Sequence, residues 1–132
     1  MKRSVKFTLL AALMLISGLS IMAQKPADLV GTWVGLATME GEAETNELTL
    51  VLTMEDGKLI GHMTDQYAAF NENPIEEVTL ENDSFNFTVK AESPEGELTV
   101  KFTMIVNGDS MEGELELVEW GVPGTWEATK QK

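Results

Sequence analysis

The sequence predicts an all-β domain, a single antiparallel up-and-down β-barrel of about eight strands. Apolar and polar residues alternate with a period of two through most of residues 31–130. This is the pattern of strands that have one buried face. Turn sequences separate these stretches at short intervals, as in consecutive hairpins. Because a meander of short strands hides its edges best by closing on itself, we expect a barrel.

The strands are predicted one after another from the alternation of side chains. The first strand begins at GTWVG, and the second, ELTLVLTM, places leucines and a methionine on one face and threonines on the other. The fifth and sixth, SFNFTVK and ELTVKFTMIV, alternate apolar residues with Asn, Thr or Lys. The seventh, SMEGELELV, sets Met and Leu against three glutamates. The predicted strands span residues 31–39, 47–54, 58–64, 75–81, 84–90, 97–106, 110–119 and 124–129.

The links between these stretches have the composition of turns. EDGK near residue 56 and NGD near residue 107 are tight-hairpin signals. ENDS near residue 82, SPEG near residue 93 and GVPG near residue 121 are further turns. Short links of this kind favour strands that are neighbours in both sequence and space.

The tripeptide GTW occurs at the start of both the first and the last predicted strand. In a closed meander these two strands are neighbours, so Trp33 and Trp126 are expected to point inward across the seam. Gly31 and Gly124 would let the backbones and rings approach closely. The alternative is a duplicated half-domain, but the two halves share little other matching sequence.

Five stretches carry a family resemblance: GTWVG at 31–35, LTMEDGKLIGHMTD at 52–65, PIEEVTLENDSFNFTV at 74–89, VNGDSMEG at 106–113 and GTWEATK at 124–130. Together they resemble the lipocalin-like, or calycin-like, small secreted domains of Bacteroidota. Gly31 and Trp33 match the G-x-W signature of lipocalins. The resemblance implies an up-and-down barrel that holds an apolar small molecule.

The chain departs from the lipocalin pattern, most clearly near its C-terminal end. Lipocalins pack a late-strand arginine over the signature tryptophan, but no arginine follows residue 3 here, and Lys130 is the nearby substitute. A lysine cannot reproduce the flat stacking of a guanidinium group. The resemblance therefore supports the fold more directly than it supports an inherited ligand.

Residues 1–23 have the three parts of a secretory signal peptide, namely a basic start, an apolar stretch and a small residue, Ala23, at the cleavage site. The alternative is a membrane anchor, but the apolar run of about 15 residues is shorter than the roughly 20 that span a bilayer. We therefore expect cleavage near Ala23, a barrel domain over residues 24–132, and a secreted or periplasmic protein without membrane insertion.

The charge of the exported chain limits its partners. The full chain has a formal net charge of −13; cleavage removes three of its nine cations and leaves six against 22 carboxylates, a net charge of −16. So acidic a protein is repelled by phosphate backbones and anionic lipids, which argues against nucleic acid as a partner. The chain has no cysteine, so burial alone must hold the fold.

The predicted interior offers no group for catalysis. No titratable residue is among the large side chains of inward parity, whereas Asp65, Glu76 and Glu119 share that parity but fall at strand ends, where water reaches. His62 is the only histidine and has outward parity, and no calcium-loop motif is present. We therefore expect a protein that is not an enzyme and that needs no cofactor or metal.

A binding site is expected at the mouth of the barrel. Ala37, Gly61 and Gly113 are small residues of inward parity that could leave interior space. The longest link, residues 65–73, carries Tyr67 and Phe70, which either form a lid or contact surface or tuck back and plug that end. With carboxylates around the rim, the ligand is expected to be small, apolar and neutral or cationic.

An interaction module is the competing function. It would bind a protein or a glycan, or form a homodimer, through the loop aromatics or through an outer apolar patch. Val34, Leu36, Val51 and Ile60 have outward parity on three consecutive predicted strands and define that patch. A contiguous patch of this kind marks an interface, whereas isolated apolar residues need no explanation.

Overall fold

The computed structural model describes residues 24–132; the predicted signal peptide, residues 1–23, lies outside this range. Each strand pairs antiparallel with the next, and the last pairs with the first, so the sheet closes into a barrel. This confirms the predicted all-β, eight-stranded, up-and-down fold. The strands are β1 Gly31–Met39, β2 Thr45–Glu55, β3 Lys58–Asp65, β4 Asn73–Glu81, β5 Ser84–Ser93, β6 Gly96–Asn107, β7 Ser110–Leu117 and β8 Val122–Lys130.

A short 3₁₀ helix, Pro26–Leu29, precedes β1 and was not expected from the sequence. Its start is stabilised by the Asp28 carboxylate, which accepts a hydrogen bond of 3.0 Å from the Lys25 N–H. One turn of helix is too short to show a period in the sequence. Within residues 24–132, no helix has the length and apolar character required to cross a bilayer.

The two ends of the barrel are built differently. The helix end carries the 3₁₀ helix and the tight turns at residues 56–57, 82–83 and 108–109. The loop end carries the longer connections, residues 40–44, 66–72 and 118–121, together with the short turn at 94–95. Tight turns leave little free space at the helix end, whereas longer connections give the loop end room for a site.

Aromatic rings form a continuous stack through the interior. Phe85 and Phe87 have ring centroids 5.0 Å apart, and Phe87 stacks on Phe102 at 4.6 Å. Phe102 then meets Trp126 edge-on at 5.7 Å. Such contacts stabilise a core by about 0.5–1.5 kcal/mol each beyond the burial of their area. The stack links the middle of the sheet to the strand that closes the barrel.

The two tryptophans are both fully buried, but they lie at different heights along the seam. Trp33 is opposite Lys130 and Trp126 is opposite Ala37, because β1 and β8 run antiparallel. The two GTW copies therefore start at opposite ends of the barrel and do not face each other. Gly31 lies at the helix end, whereas Gly124 pairs with Met39 at the loop end.

Each buried indole N–H has a backbone partner. Trp33 Nε1 donates to the Leu29 carbonyl at 2.9 Å, and Trp126 Nε1 donates to the Gly35 carbonyl at 3.0 Å. At Gly35 the two strands are so close that a Cβ atom would run into the Glu127 carbonyl oxygen. The missing side chain at Gly35 is thus a condition for closing the barrel.

Lys130 ties the last strand to the 3₁₀ helix. Its Nζ lies 5.4 Å from the centroid of the Trp33 ring and donates to the Asp28 carbonyl at 2.7 Å. Its stem packs over Gly31, where an added Cβ would lie 3.2 Å from the lysine Cδ. Lys130 therefore covers Trp33 through a cation–π contact, worth about 0.5–1 kcal/mol at exposed sites.

The pairing between β3 and β4 is the weakest part of the ring. These strands pair only at His62–Pro74 and Met63–Asn73, next to the loop end. Proline has no N–H to donate, so the ladder stops there. On its other side, β4 pairs with β5, and the register of that pairing shifts between Glu76 and Thr79, as at a β-bulge.

Replacing either buried tryptophan should destabilise the protein strongly. We expect Trp33→Ala and Trp126→Ala each to lower the free energy of unfolding by about 3–5 kcal/mol, the range for a buried aromatic residue. Trp120→Ala is the matched control, because Trp120 is exposed and should cost much less. Urea unfolding measures all three variants, and a ranking with Trp120→Ala as the most damaging would contradict this assignment.

Candidate ligand cavity at the loop end

A cavity of about 260 Å³ lies inside the barrel at the loop end. Ala37 and Ala91 contribute small side chains to its wall, and the Phe102 side chain lines it as well. Among the described residues that line it, Asn46 is the only polar one. The lining residues are Ala37, Met39, Asn46, Leu48, Ala69, Phe70, Ala91, Leu98, Val100, Phe102, Leu115 and Leu117.

Two of the small residues expected at the ligand site lie elsewhere. Gly61 and Gly113 do not line the cavity, although Ala37 does. A Cβ at Gly61 would run into the Val51 carbonyl oxygen, and one at Gly113 into that of Thr103. The backbone of the neighbouring strand already occupies the space that a side chain would take. Inward glycines in this small barrel thus permit close strand contact instead of leaving an opening.

The two aromatic residues of the 66–72 loop have opposite placements. Phe70 is only 7% exposed and forms part of the cavity wall, so it plugs the end of the barrel. Tyr67 is 57% exposed, and its hydroxyl donates to the Thr45 carbonyl at 3.4 Å. The sequence left a lid or contact surface and a plug as alternatives; Phe70 tucks back as the plug, whereas Tyr67 stands in solvent and does not line the cavity.

Asp65 holds the loop in place. It is 7% exposed, and its Oδ1 accepts a hydrogen bond of 2.8 Å from the Phe70 N–H. Its Oδ2 accepts another of 2.8 Å from Asn46 Nδ2. A buried carboxylate requires such partners. The sequence led us to expect a solvated Asp65 at the end of a strand, and this expectation was wrong. The signal that could have indicated its burial is its inward parity directly before the longest loop.

Further contacts fix the path of the loop. Gln66 and Glu47 form two hydrogen bonds, from Gln66 N to Glu47 O at 3.0 Å and from Glu47 N to Gln66 Oε1 at 2.6 Å. Ala68 and Glu72 have positive φ angles of 62° and 56°. Residues other than Gly and Asn rarely adopt this backbone conformation. The surrounding contacts therefore hold this loop in a conformation that its own residues do not favour.

The rim of the cavity is strongly acidic. Exposed glutamates surround the loop end, at positions Glu40, Glu42, Glu44, Glu47, Glu92, Glu95, Glu97, Glu116 and Glu119. Lys25, Lys58, Lys130 and Lys132 all lie toward the helix end. Of the two lysines nearer the rim, Lys90 pairs with Glu76 at 3.8 Å. The mouth therefore attracts cations and repels anions.

The 118–121 turn presents Trp120 at the same rim. Its backbone is anchored by hydrogen bonds from Val118 N to Thr99 O at 2.9 Å and from Gly121 N to Leu117 O at 2.8 Å. The Glu119 carboxylate accepts a bond of 2.7 Å from the Thr99 N–H. Trp120 itself is 53% exposed, so an apolar ring stands in solvent on an ordered backbone.

The outer apolar residues form an interrupted stripe. Leu36 and Ile60 are exposed, whereas Val34 and Val51 are half-buried. Val34 is opposite Thr49, and Val51 is opposite Thr32 on one side and His62 on the other. None of the four apolar residues is therefore directly opposite another across a strand pair, and polar residues such as Thr49, Glu47 and the half-buried His62 lie between them.

The chain matches no family model, and no curated protein or solved structure is significantly similar to it. Over residues 24–132, no three His, Asp or Glu side chains converge in the manner of metal ligands. What the structure defines is therefore a class: a closed, eight-stranded, antiparallel up-and-down β-barrel, an architecture compatible with a lipocalin-like fold.

The anchored turn should be sensitive to acid. Donation by the Thr99 backbone N–H lowers the pKa of Glu119 below its ordinary value of 4.5. A carboxyl group whose pKa is lowered by folding contributes stability above its unfolded pKa and loses it as the pH falls through the folded pKa. In NMR titrations, Glu119 should have a lower midpoint in the folded protein than in urea, and the Thr99 amide shift should follow it. Equal midpoints in the two states would contradict this role.

Proposed function

We propose that this protein is an exported, non-catalytic, lipocalin-like barrel that binds a small apolar ligand in the loop-end cavity. The cavity is the observation that carries the proposal. Its apolar lining lacks the packing contacts that a filled core would give, and an apolar ligand would supply those contacts. Its volume of about 260 Å³ is slightly below the roughly 300–1,000 Å³ of ordinary ligand pockets. The ligand is therefore small, or inserts only one end.

The lining and the rim together restrict the ligand. No lysine or arginine is among the described residues of the cavity wall, so a bound anion would lack a partner. The glutamates of the rim add repulsion before such an anion enters. These features argue against a fatty-acid type of ligand and favour a neutral or cationic one.

Filling the cavity tests this function directly. In Ala37→Leu the added carbon atoms occupy the hollow, so binding of an apolar fluorescent probe should fall at least tenfold. Stability should be unchanged or higher, as cavity-filling changes often give. Ala43→Leu makes the same substitution in the exposed 40–44 connection and should leave probe binding unchanged. Titration of the probe by fluorescence, with thermal unfolding of each variant, gives both quantities.

Two results would count against a carrier. One is a wild-type protein that binds no apolar probe. The other is equal loss of probe binding in both alanine variants, because that would place the probe on the surface of the 40–44 connection. Either result would leave the interaction module as the better description.

The exposed rim aromatics favour that second candidate function, binding of a protein or a glycan. Tyr67 and Trp120 lie in connections that follow β3 and β7, on opposite sides of the mouth, and both are more than half exposed. Anchored aromatic side chains of this kind commonly form the centre of binding surfaces. Native mass spectrometry of protein purified from its source separates the two functions: a retained small mass indicates the carrier, whereas a dimer or a larger partner indicates the module.

A further inference from the structure

One polar atom beside the cavity has no partner. Three buried side-chain atoms among the described residues lack a hydrogen bond: Asn46 Oδ1, His62 Nδ1 and Asn86 Oδ1. His62 and Asn86 do not line the cavity, whereas Asn46 is part of its wall. An unsatisfied buried acceptor is costly and calls for an explanation. At a cavity wall, the simplest explanation is a donor that arrives with a ligand.

The orientation of the Asn46 amide is fixed by its other end. Asn46 Nδ2 donates to Asp65 Oδ2 at 2.8 Å, and turning the amide over would set two acceptors against each other. Its Oδ1 is therefore held away from Asp65. The carboxylate also polarises the amide, which makes Oδ1 a stronger acceptor than that of a free asparagine.

We infer that the ligand of this cavity is a cationic amphiphile, a primary ammonium group on a small apolar body, whose N–H donates to Asn46 Oδ1. This rests on the proposed function of the cavity. A positively charged donor is stabilised in two ways, by its hydrogen bond to the polarised oxygen and by attraction to the Asp65 charge behind the amide. A neutral hydroxyl gains only the hydrogen bond, and a carboxylate has no donor to offer.

The acidic rim of the loop end also favours a cationic ligand. A cationic amphiphile is drawn toward the glutamates of the loop end, and its apolar body finds the wall around Phe102. Asn46 Oδ1 is covered by its neighbours in the structure, so a ligand reaches it after a small shift of the Asn46 side chain or of Phe70. Both residues line the cavity, and Asp65 accepts a hydrogen bond from each.

Competition with a bound apolar probe tests the ligand class. Octylammonium, octanol and octanoate share one apolar chain and differ in the head group. The wild type should bind octylammonium about tenfold more tightly than octanol, which is the gain expected from a charge-assisted hydrogen bond, and octanoate least. Equal binding of the amine and the alcohol would overturn this inference and leave the proposed function standing. No binding of any probe or alcohol would overturn both.

Asp65→Asn locates the effect. The new amide can still accept from the Phe70 N–H, and its NH₂ group can donate to a turned-over Asn46, so the unsatisfied oxygen and the charge both disappear. The preference for amine over alcohol should fall to about threefold or less. Asp83→Asn, the same change at an exposed turn of the helix end, should keep the wild-type preference. Equal loss in both variants would overturn the role of the Asn46–Asp65 pair.

A measurement without substitutions covers the case in which Asp65→Asn does not fold. In the wild-type protein, octylammonium should shift the side-chain NH₂ resonances of Asn46 at concentrations that displace the probe. The side-chain resonances of Asn86, whose oxygen also lacks a partner but lies away from the cavity, should stay in place. Displacement of the probe without movement of the Asn46 signals would overturn the inference.

Discussion

The fold depends on closing the sheet between its first and last strands. An open eight-stranded meander would leave two unpaired edges, and pairing β1 with β8 removes both. Closure is tight enough that Gly35 has no room for a side chain against Glu127. The β1–β8 seam pairs over seven positions, whereas β3 and β4 pair over only two, so the seam is the stronger of these two junctions. The interior aromatic stack and the cavity exist only inside that closed ring.

Most of the fold could be predicted because its signals are local. The period-two alternation defined the strands, and β1 was predicted with its observed bounds, 31–39. Turn composition gave the hairpins, and Asp56 has the positive φ of 53° that its EDG sequence implies. The site was less predictable, because the space beside Gly61 or Gly113 depends on how closely a neighbouring strand approaches, which parity does not reveal. The same holds for Phe70, whose burial depends on a bond to Asp65.

The two ends of the barrel differ in packing and in charge. At the helix end, Leu29 is fully buried, its carbonyl receives the Trp33 N–H, and Lys130 binds Asp28 across the seam. These contacts seal that end, and most cations lie there. The loop end has longer connections, small wall residues and a dense set of glutamates. The charges are therefore distributed unevenly, with most lysines at the helix end and many exposed glutamates at the loop end, beside the cavity.

Asp65 couples the plug to the polar wall of the cavity. One of its oxygens holds the Phe70 backbone and the other orients the Asn46 amide. Displacing the Phe70 backbone to admit a ligand would break the first bond and leave a buried charge with one donor fewer, which is costly unless a new partner arrives. A cationic group at Asn46 would restore favourable interaction with that charge, whereas a purely apolar molecule would not. The carboxylate that holds the Phe70 plug would thus also favour the class of molecule that displaces it.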